Sequence, residues 1–205
     1  MNSPAEADPD AALMLRVQRG DPDAFAELVT RWQQPVMNFV HRLLSDPDEA
    51  EDLAQAVFVQ VWKAAGRYRQ TARFSTFLFT VARNLCLNEI RRRSRHPAEP
   101  LDPRKAGDDE TPERPLPDSL QLSADAAVQG AELIAKVDEA LADLPEKQRL
   151  AMALCREGEL SYEEIAVVLE TTLPATKSLI HRARETLKTR LKPYLATGEW
   201  AERGT

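Results

Sequence analysis

The residues with the greatest capacity for chemistry lie between Arg67 and Arg93. The run Arg67-Tyr68-Arg69-Gln70-Thr71-Ala72-Arg73-Phe74 interleaves guanidinium groups with aromatic rings, and Ser75, Thr76 and Phe77 follow. Such a mixture suits unpaired nucleic-acid bases. Cations meet the phosphates, and stacking on an aromatic ring contributes about 1–3 kcal/mol per base with little regard for sequence. Farther on come Arg83, Asn84, Asn88, Arg91 and Arg92. The carboxamides of Asn84 and Asn88 donate and accept at a base edge, whereas Arg91, Arg92 and Arg93 suit phosphates. A second basic set, Lys177, Ser178, His181, Arg182 and Arg184, opens a stretch to Lys192 with six Lys or Arg against one Glu. A third set is acidic: Asp48, Glu49, Glu51 and Asp52, with Gln55, Val59 and Gln60 beyond it.

These groups also have plainer readings. Phe74 and Phe77 either anchor a helix in the core or stack on bases, and both readings stay open. Tyr68, on a loop, is read as functional. Trp32, Phe39, Phe58 and Trp62 are read as core. His41, His96 and His181 do not cluster with one another, or with Cys86 and Cys155, at metal-ligand spacing. There is no Gly-rich phosphate loop and no nucleophile elbow. No catalytic residue, metal, cofactor or small-molecule substrate is therefore expected.

Helices must position these groups. Asp10 to Arg19 carries Leu13, Leu15 and Val17 and stops at Gly20. A longer helix starts at Asp21-Pro22, with Phe25, Leu28, Val29, Trp32, Val36, Phe39, Val40 and Leu43 at the 3.6-residue period and Pro35 inside it. Asp46, Pro47 and Glu49 have the spacing of an N-cap, a first-turn proline and a capping box. Leu53, Val57, Phe58, Val61, Trp62 and Ala65 form the apolar stripe of that helix. Ser75 or Thr76 is expected to cap the next helix, which ends basic at Arg93. Near the C-terminus, Leu133, Ile134, Val137, Leu141 and Leu144 form one stripe, and Pro145 opens a helix that Gly158 ends. Ser161-Tyr162-Glu163-Glu164 is a capping box for a short helix. A turn through Thr171-Thr172-Leu173-Pro174 leads into a last helix to about Tyr194. A short helix, a turn and a longer basic helix make the helix-turn-helix pattern, whose second helix enters the major groove. On that helix Ile180, Ala183, Leu187 and Leu191 point inward.

The expected fold is all-α: two small helical domains joined by a flexible acidic Pro-rich linker. The divisions are a flexible N-terminus at 1–9, a four-helix domain at 10–93, the linker at 94–124, a helix-turn-helix domain at 125–195 and a tail at 196–205. The linker holds Pro97, Pro100, Pro103, Pro112, Pro115 and Pro117 among Asp102, Asp108, Asp109, Glu110, Glu113 and Asp118. With 205 residues, 43% hydrophobic and 29% charged, the chain is globular. No apolar run approaches a membrane span and no signal-peptide core opens it, so a cytoplasmic protein without membrane insertion is expected. The formal net charge of −6 disfavours a simple nucleic-acid binder, but the charge is segregated into separate acidic and basic patches. Screening confines each patch to roughly 10 Å or less at physiological salt, so the local charge matters more than the sum.

Two segments carry a resemblance. Asp48 to Trp62, Phe74-Ser75-Thr76-Phe77-Leu78 and Ala82-Arg83-Asn84-Leu85 resemble region 2 of bacterial extracytoplasmic-function (group IV) sigma factors. Leu144-Pro145-Glu146-Lys147-Gln148-Arg149, Leu160 to Ala166, Lys177-Ser178 and His181-Arg182-Ala183-Arg184 resemble region 4 of the same family. The resemblance implies a subunit of RNA polymerase that directs transcription initiation. Asp48, Glu51, Asp52, Gln55, Val59 and Gln60 would bind the core enzyme. Arg67, Tyr68, Arg69, Phe74, Ser75, Thr76, Phe77, Arg83, Asn84, Asn88, Arg91 and Arg92 would recognise and melt the −10 element. Lys177, Ser178, His181, Arg182 and Arg184 would read the −35 element. The implied partners are core RNA polymerase (the clamp of its largest subunit and the flap of the second largest), promoter DNA and an anti-sigma factor. The chain departs from the family pattern at Ala56 (usually Glu), Glu170 (usually Gly), Pro174-Ala175-Thr176 (commonly Gly-Thr-Val) and Leu179 (commonly Arg). The rival reading is a stand-alone helix-turn-helix regulator that acts without being a polymerase subunit.

Overall fold

The structure, a computed structural model, describes residues 8–44, 46–95, 124–157 and 160–197, with backbone alone for 124–131 and 197. The chain order is α1 (Pro9–Gln18), α2 (Pro22–His41), α3 (Pro47–Ala64), a 3-10 turn (Ala65–Arg67), α4 (Phe74–Arg95), α5 (Ala124–Ala142), α6 (Glu146–Glu157), α7 (Tyr162–Val168) and α8 (Leu173–Thr197). The described residues form no strand. Of the linker expected at 94–124, residues 94–95 end α4 and Ala124 starts α5, while 96–123 lie outside the described residues, as do the expected stop at Gly158 and most of the C-terminal tail. No described helix is long and apolar enough to cross a membrane.

Local chemistry explains most of the helix ends. Asp21 and Asp46 cap α2 and α3 with their carboxylates, each followed by proline in the first turn. The capping box expected at Asp46 is only half made. Asp46 accepts from the N–H groups of Asp48 and Glu49, but the Glu49 carboxylate pairs with Arg93 instead of turning back. At α7 the box is complete: Ser161 Oγ accepts from Glu164 N–H at 3.2 Å, and Glu164 Oε2 accepts from Ser161 N–H at 2.7 Å. Neither Ser75 nor Thr76 caps α4. Both lie buried inside it, and the cap comes from across the fold, where Phe74 N–H donates to Asp8 Oδ2 at 2.6 Å. Asp8 also caps α1 and Pro9 begins it, so the flexible N-terminus expected at 1–9 gives up its last two residues to the fold.

The N-terminal core is aromatic. Phe39, Phe74 and Phe79 are fully buried, with Phe39 and Phe79 edge to face at 5.4 Å and Trp32 against Phe79 at 6.0 Å. The partly buried Trp32 extends its indole N–H 3.0 Å to Asp10 Oδ2, and Arg31 pairs with the other oxygen of that carboxylate. A buried carboxylate needs such partners, and here they stitch α1 to α2. Trp62 departs from its expected place in the core: it is 43% exposed, touching Phe25 by an edge at 4.9 Å. The stripe of α5 is likewise buried only at its C-terminal end, at Leu141 and Leu144, while Ile134 is 60% exposed.

The two helical units are not separate bodies. One continuous apolar cluster runs from Phe39, Phe79 and Cys86 to Leu154, Ile165 and Ile180. It joins α2 to α6 and α4 to α7. Replacing Asp10 with Ala should strand the Trp32 and Arg31 donors and cost roughly 1–3 kcal/mol. The expected readout is a lower urea midpoint at unchanged m value. An unaltered midpoint would mean the pairing adds nothing to stability.

Candidate nucleic-acid interface

α8 presents its basic face as the helical period requires. Ile180 and Ala183 are buried, and Leu187 and Leu191 are half-buried. Lys177, Ser178, His181, Arg182 and Arg184 are all exposed. Thr172 Oγ1 accepts from Ala175 N–H at 3.4 Å, so the helix begins where its side chains clear α7. An N-terminal turn presented this way reaches base edges while later basic residues meet phosphates.

The turn before it is unusual. Glu170 has a φ of 53°, the left-handed region that favours glycine. Its N–H donates to Val167 O at 3.1 Å and Thr171 N–H donates to Ala166 O at 2.9 Å. This is the αL helix stop, made here by a residue with a Cβ.

On α4, Asn84, Asn88, Arg91 and Arg92 are exposed along one face. Asn88, Arg91, Arg92 and Arg95 line a shallow groove there. Glu89 takes two contacts from Arg92, at 2.9 and 2.7 Å, which hold its carboxyl below the usual range. The Arg92 guanidinium is thus paired within its own helix, while Arg91 beside it is exposed.

The loop before α4 splits the expected set. Arg67, Arg69 and Arg73 are exposed, but Tyr68 is only 5% exposed and Phe74, Ser75 and Thr76 are buried. Phe77 is half-buried, its ring 5.1 Å from Tyr68. For Phe74 the core reading holds, since its ring meets Trp32 at 6.2 Å inside the bundle. Tyr68, Arg69, Thr76, Phe77 and Thr80 line a pocket together with Val167 of α7. Burial, then the nearby Asp8 charge, raises the Tyr68 phenol to about 12.

The acidic face of α3 is intact. Asp48, Glu51, Asp52, Gln55, Val59 and Gln60 are exposed, and Ala56 is half-buried beside them. Trp62 belongs to this face, because at 100° per residue it falls nearly in line with Gln55 and Val59. The sequence held that signal: Trp62 shares its angle with residues assigned to the surface.

Sequence reasoning missed the contacts between the units. Arg83 Nη1 lies 2.7 Å from Glu170 Oε1. Thr76 Oγ1 is 3.5 Å from Glu164 Oε1, with Arg73 Nε 3.9 Å from the same oxygen. Arg42 pairs with Glu157, whose other oxygen accepts from Asn38 Nδ2 at 3.0 Å. Leu179 lines a crevice of about 350 Å³ together with Arg83, Leu87, Arg91, Leu150 and Glu170. Two of the departures from the family pattern, Glu170 and Leu179, therefore face the N-terminal unit.

The buried phenol has a pH signature. Folded Tyr68 keeps its proton to about 12, whereas the unfolded chain loses it near the ordinary 10.0. Between these values the folded state binds more protons, so the stabilisation is full below about pH 10 and falls as pH rises. Tyr68→Phe should flatten this alkaline decline in urea unfolding followed at stepped pH. Equal slopes in both proteins would place the hydroxyl in water.

Comparison with known proteins agrees with this geometry. The family model for sigma-70 region 2 matches residues 28–96. That for sigma-70 region 4 matches residues 134–187. The RNA polymerase sigma-H factor of Pseudomonas aeruginosa is 35% identical over 91% of this chain and 95% of its own length. The extracytoplasmic-function factor SigW of Bacillus subtilis is 32% identical over 86% and 94%. The sigma-E factor of Escherichia coli is 32% identical over 91% and 96%. Among solved structures, CnrH in complex with the cytosolic domain of CnrY superposes with a TM-score of 0.67 at 21% identity, covering 91% of this chain and 99% of that one. The sigma factor RpoE of Bartonella quintana, solved with the anti-sigma factor NepR, gives 0.61 at 24% identity, covering 82% and 96%. With both regions matched in order and relatives aligned over nearly their whole length, the chain belongs to the sigma-70 family, as an extracytoplasmic-function RNA polymerase sigma factor.

Proposed function

We infer that this sigma factor joins core RNA polymerase through the exposed acidic face of α3, from Asp48 to Gln60, with Trp62 as an apolar anchor on that face. The observation that carries the reading is the pairing of two nucleic-acid helices on one chain. The face of α4 carries carboxamides and guanidinium groups for an opened −10 element. The face of α8 carries Lys177, Ser178, His181, Arg182 and Arg184 for a duplex −35 element. Polymerase holds the two at fixed spacing, so two modest affinities act together through effective concentration. That division of labour distinguishes the chain from a stand-alone helix-turn-helix regulator.

At the −10 element the protein itself makes and breaks no covalent bond. Its task is to capture bases once they leave the stack, much as base-flipping proteins do. The exposed Arg67, Arg69 and Arg73 attract the strand. Asn84 and Asn88 face base edges, and Arg91 and Arg92 meet phosphates. Tyr68 and Phe77 meet edge to face, and together they offer ring surface to a base once α7 is drawn off. The net charge of −6 keeps the free chain off bulk DNA. The chain works in the cytoplasm, where polymerase and chromosome are. An anti-sigma factor is the fitting inhibitor, since a structural relative was solved bound to one.

Run-off transcription with core bacterial RNA polymerase on a pool of promoter-bearing fragments tests the reading. Defined new starts that depend on this chain are expected, and failure both to start transcription and to bind core enzyme would overturn it. Arg182→Glu should abolish −35-dependent starts while polymerase binding survives in a pull-down. Loss of both would point to misfolding. Reversing Glu51 and Asp52 to Lys should weaken core binding at least several-fold, and undiminished association would remove α3 from the interface.

A further inference from the structure

Glu170 stands in a left-handed turn with a φ of 53°, where a Cβ is strained and glycine is at ease. Its carboxylate reaches across to Arg83 at 2.7 Å. Six residues earlier, Glu164 uses one oxygen to close its own capping box and the other to approach Thr76 and Arg73. Thr76 and Arg83 belong to the set assigned to the −10 element, and the exposed Arg73 lies on the loop just before them. The side chain of Arg83 is left only 13% exposed. Beside these pairs, Leu179 adds an apolar contact toward Leu87 and Leu150 on a helix that is otherwise basic on its exposed side. At the far end Glu157, 7% exposed, holds Arg42 and Asn38.

We propose that the helix-turn-helix unit of the free chain is an intramolecular inhibitor of the −10 surface, with Glu164 and Glu170 standing in for the phosphates of the −10 strand. The proposal rests on the assignment of α4 and its preceding loop to the −10 element. Acidic groups set on the same arginines compete directly with a nucleic acid. The face of α8 that reads the −35 element remains exposed, so closure silences one module and leaves the other accessible. Binding that draws the two units apart to promoter spacing would break the Glu170–Arg83 and Glu164–Arg73 pairs and free the −10 surface. Inhibition is then relieved by assembly itself. The exposed Glu170, at 68%, makes the latch screenable by salt.

Glu170→Gly tests this in the full-length chain, because it removes the carboxylate and also relieves the backbone. The probe is a fluorescent single strand carrying a −10 sequence and no −35 element, with solution X-ray scattering in parallel. Each exposed ion pair shifts an equilibrium by roughly two- to fivefold. The variant should therefore bind the strand about two- to fivefold more tightly and show a larger radius of gyration. Helix content by circular dichroism should be unchanged. Arg83→Glu should enlarge the radius as well, and combining it with Glu170→Arg should restore compactness by swapping the pair. An unchanged radius in Glu170→Gly, with no recovery in the swapped pair, would overturn the latch. An enlarged radius with no gain on any single strand would instead overturn the −10 assignment beneath it.

Discussion

Phe74 enters the core at the first turn of α4, and its N–H is held by Asp8 at 2.6 Å. The ring leans on Trp32, whose indole is tied to Asp10. That chain of contacts locks the start of α4 to α1 and α2. The direction of α4 follows, and every other surface is placed relative to it. One face of α4 packs on α3, which turns the acidic stripe of α3 outward. Another meets α7, which sets the helix-turn-helix unit. A residue that looks like a base-stacking aromatic is instead the peg on which the fold hangs.

Charge is sorted along this frame. Acidic groups at the start of α3 satisfy the helix dipole and also form a surface patch. Basic groups at the end of α4 are paired at their guanidinium heads, Arg92 with Glu89 and Arg93 with Glu89 and Glu49, which neutralises part of the cationic cluster. The C-terminal unit carries the opposite arrangement: carboxylates on α6, α7 and the turn face the N-terminal unit, while lysine and arginine on α8 face away. The chain as a whole is acidic, yet the exposed faces of α4 and α8 are basic. This is possible because each patch acts only over a Debye length.

Much of this was legible because helices obey a short period. The inward Ile180 and Ala183 and the outward Lys177, Ser178, His181 and Arg182 follow from spacing alone, as do the caps at Asp21, Asp46 and Ser161. Periodicity says which residues share a face, but not how far a neighbouring helix extends to cover it. That is why Ile134, on the apolar stripe of α5, lies exposed. The cap of α4 was hidden for a related reason. Ser75 and Thr76 are the right residue types locally, but Asp8, over sixty positions away in sequence, reaches Phe74 first.

The sequence by itself determined the helical class, the order of two sigma regions, the basic recognition helix and the acidic stripe of α3. These depend on residue type and on a repeat of 3.6 positions. Tertiary structure decided which assigned residues are reachable. Tyr68, Ser75 and Thr76 are buried, and Arg83 is covered by a carboxylate from another unit. No local rule pairs Arg83 with Glu170 or Arg42 with Glu157. Those meetings arise when two apolar faces, one on each unit, have no better way to leave water than to close on each other.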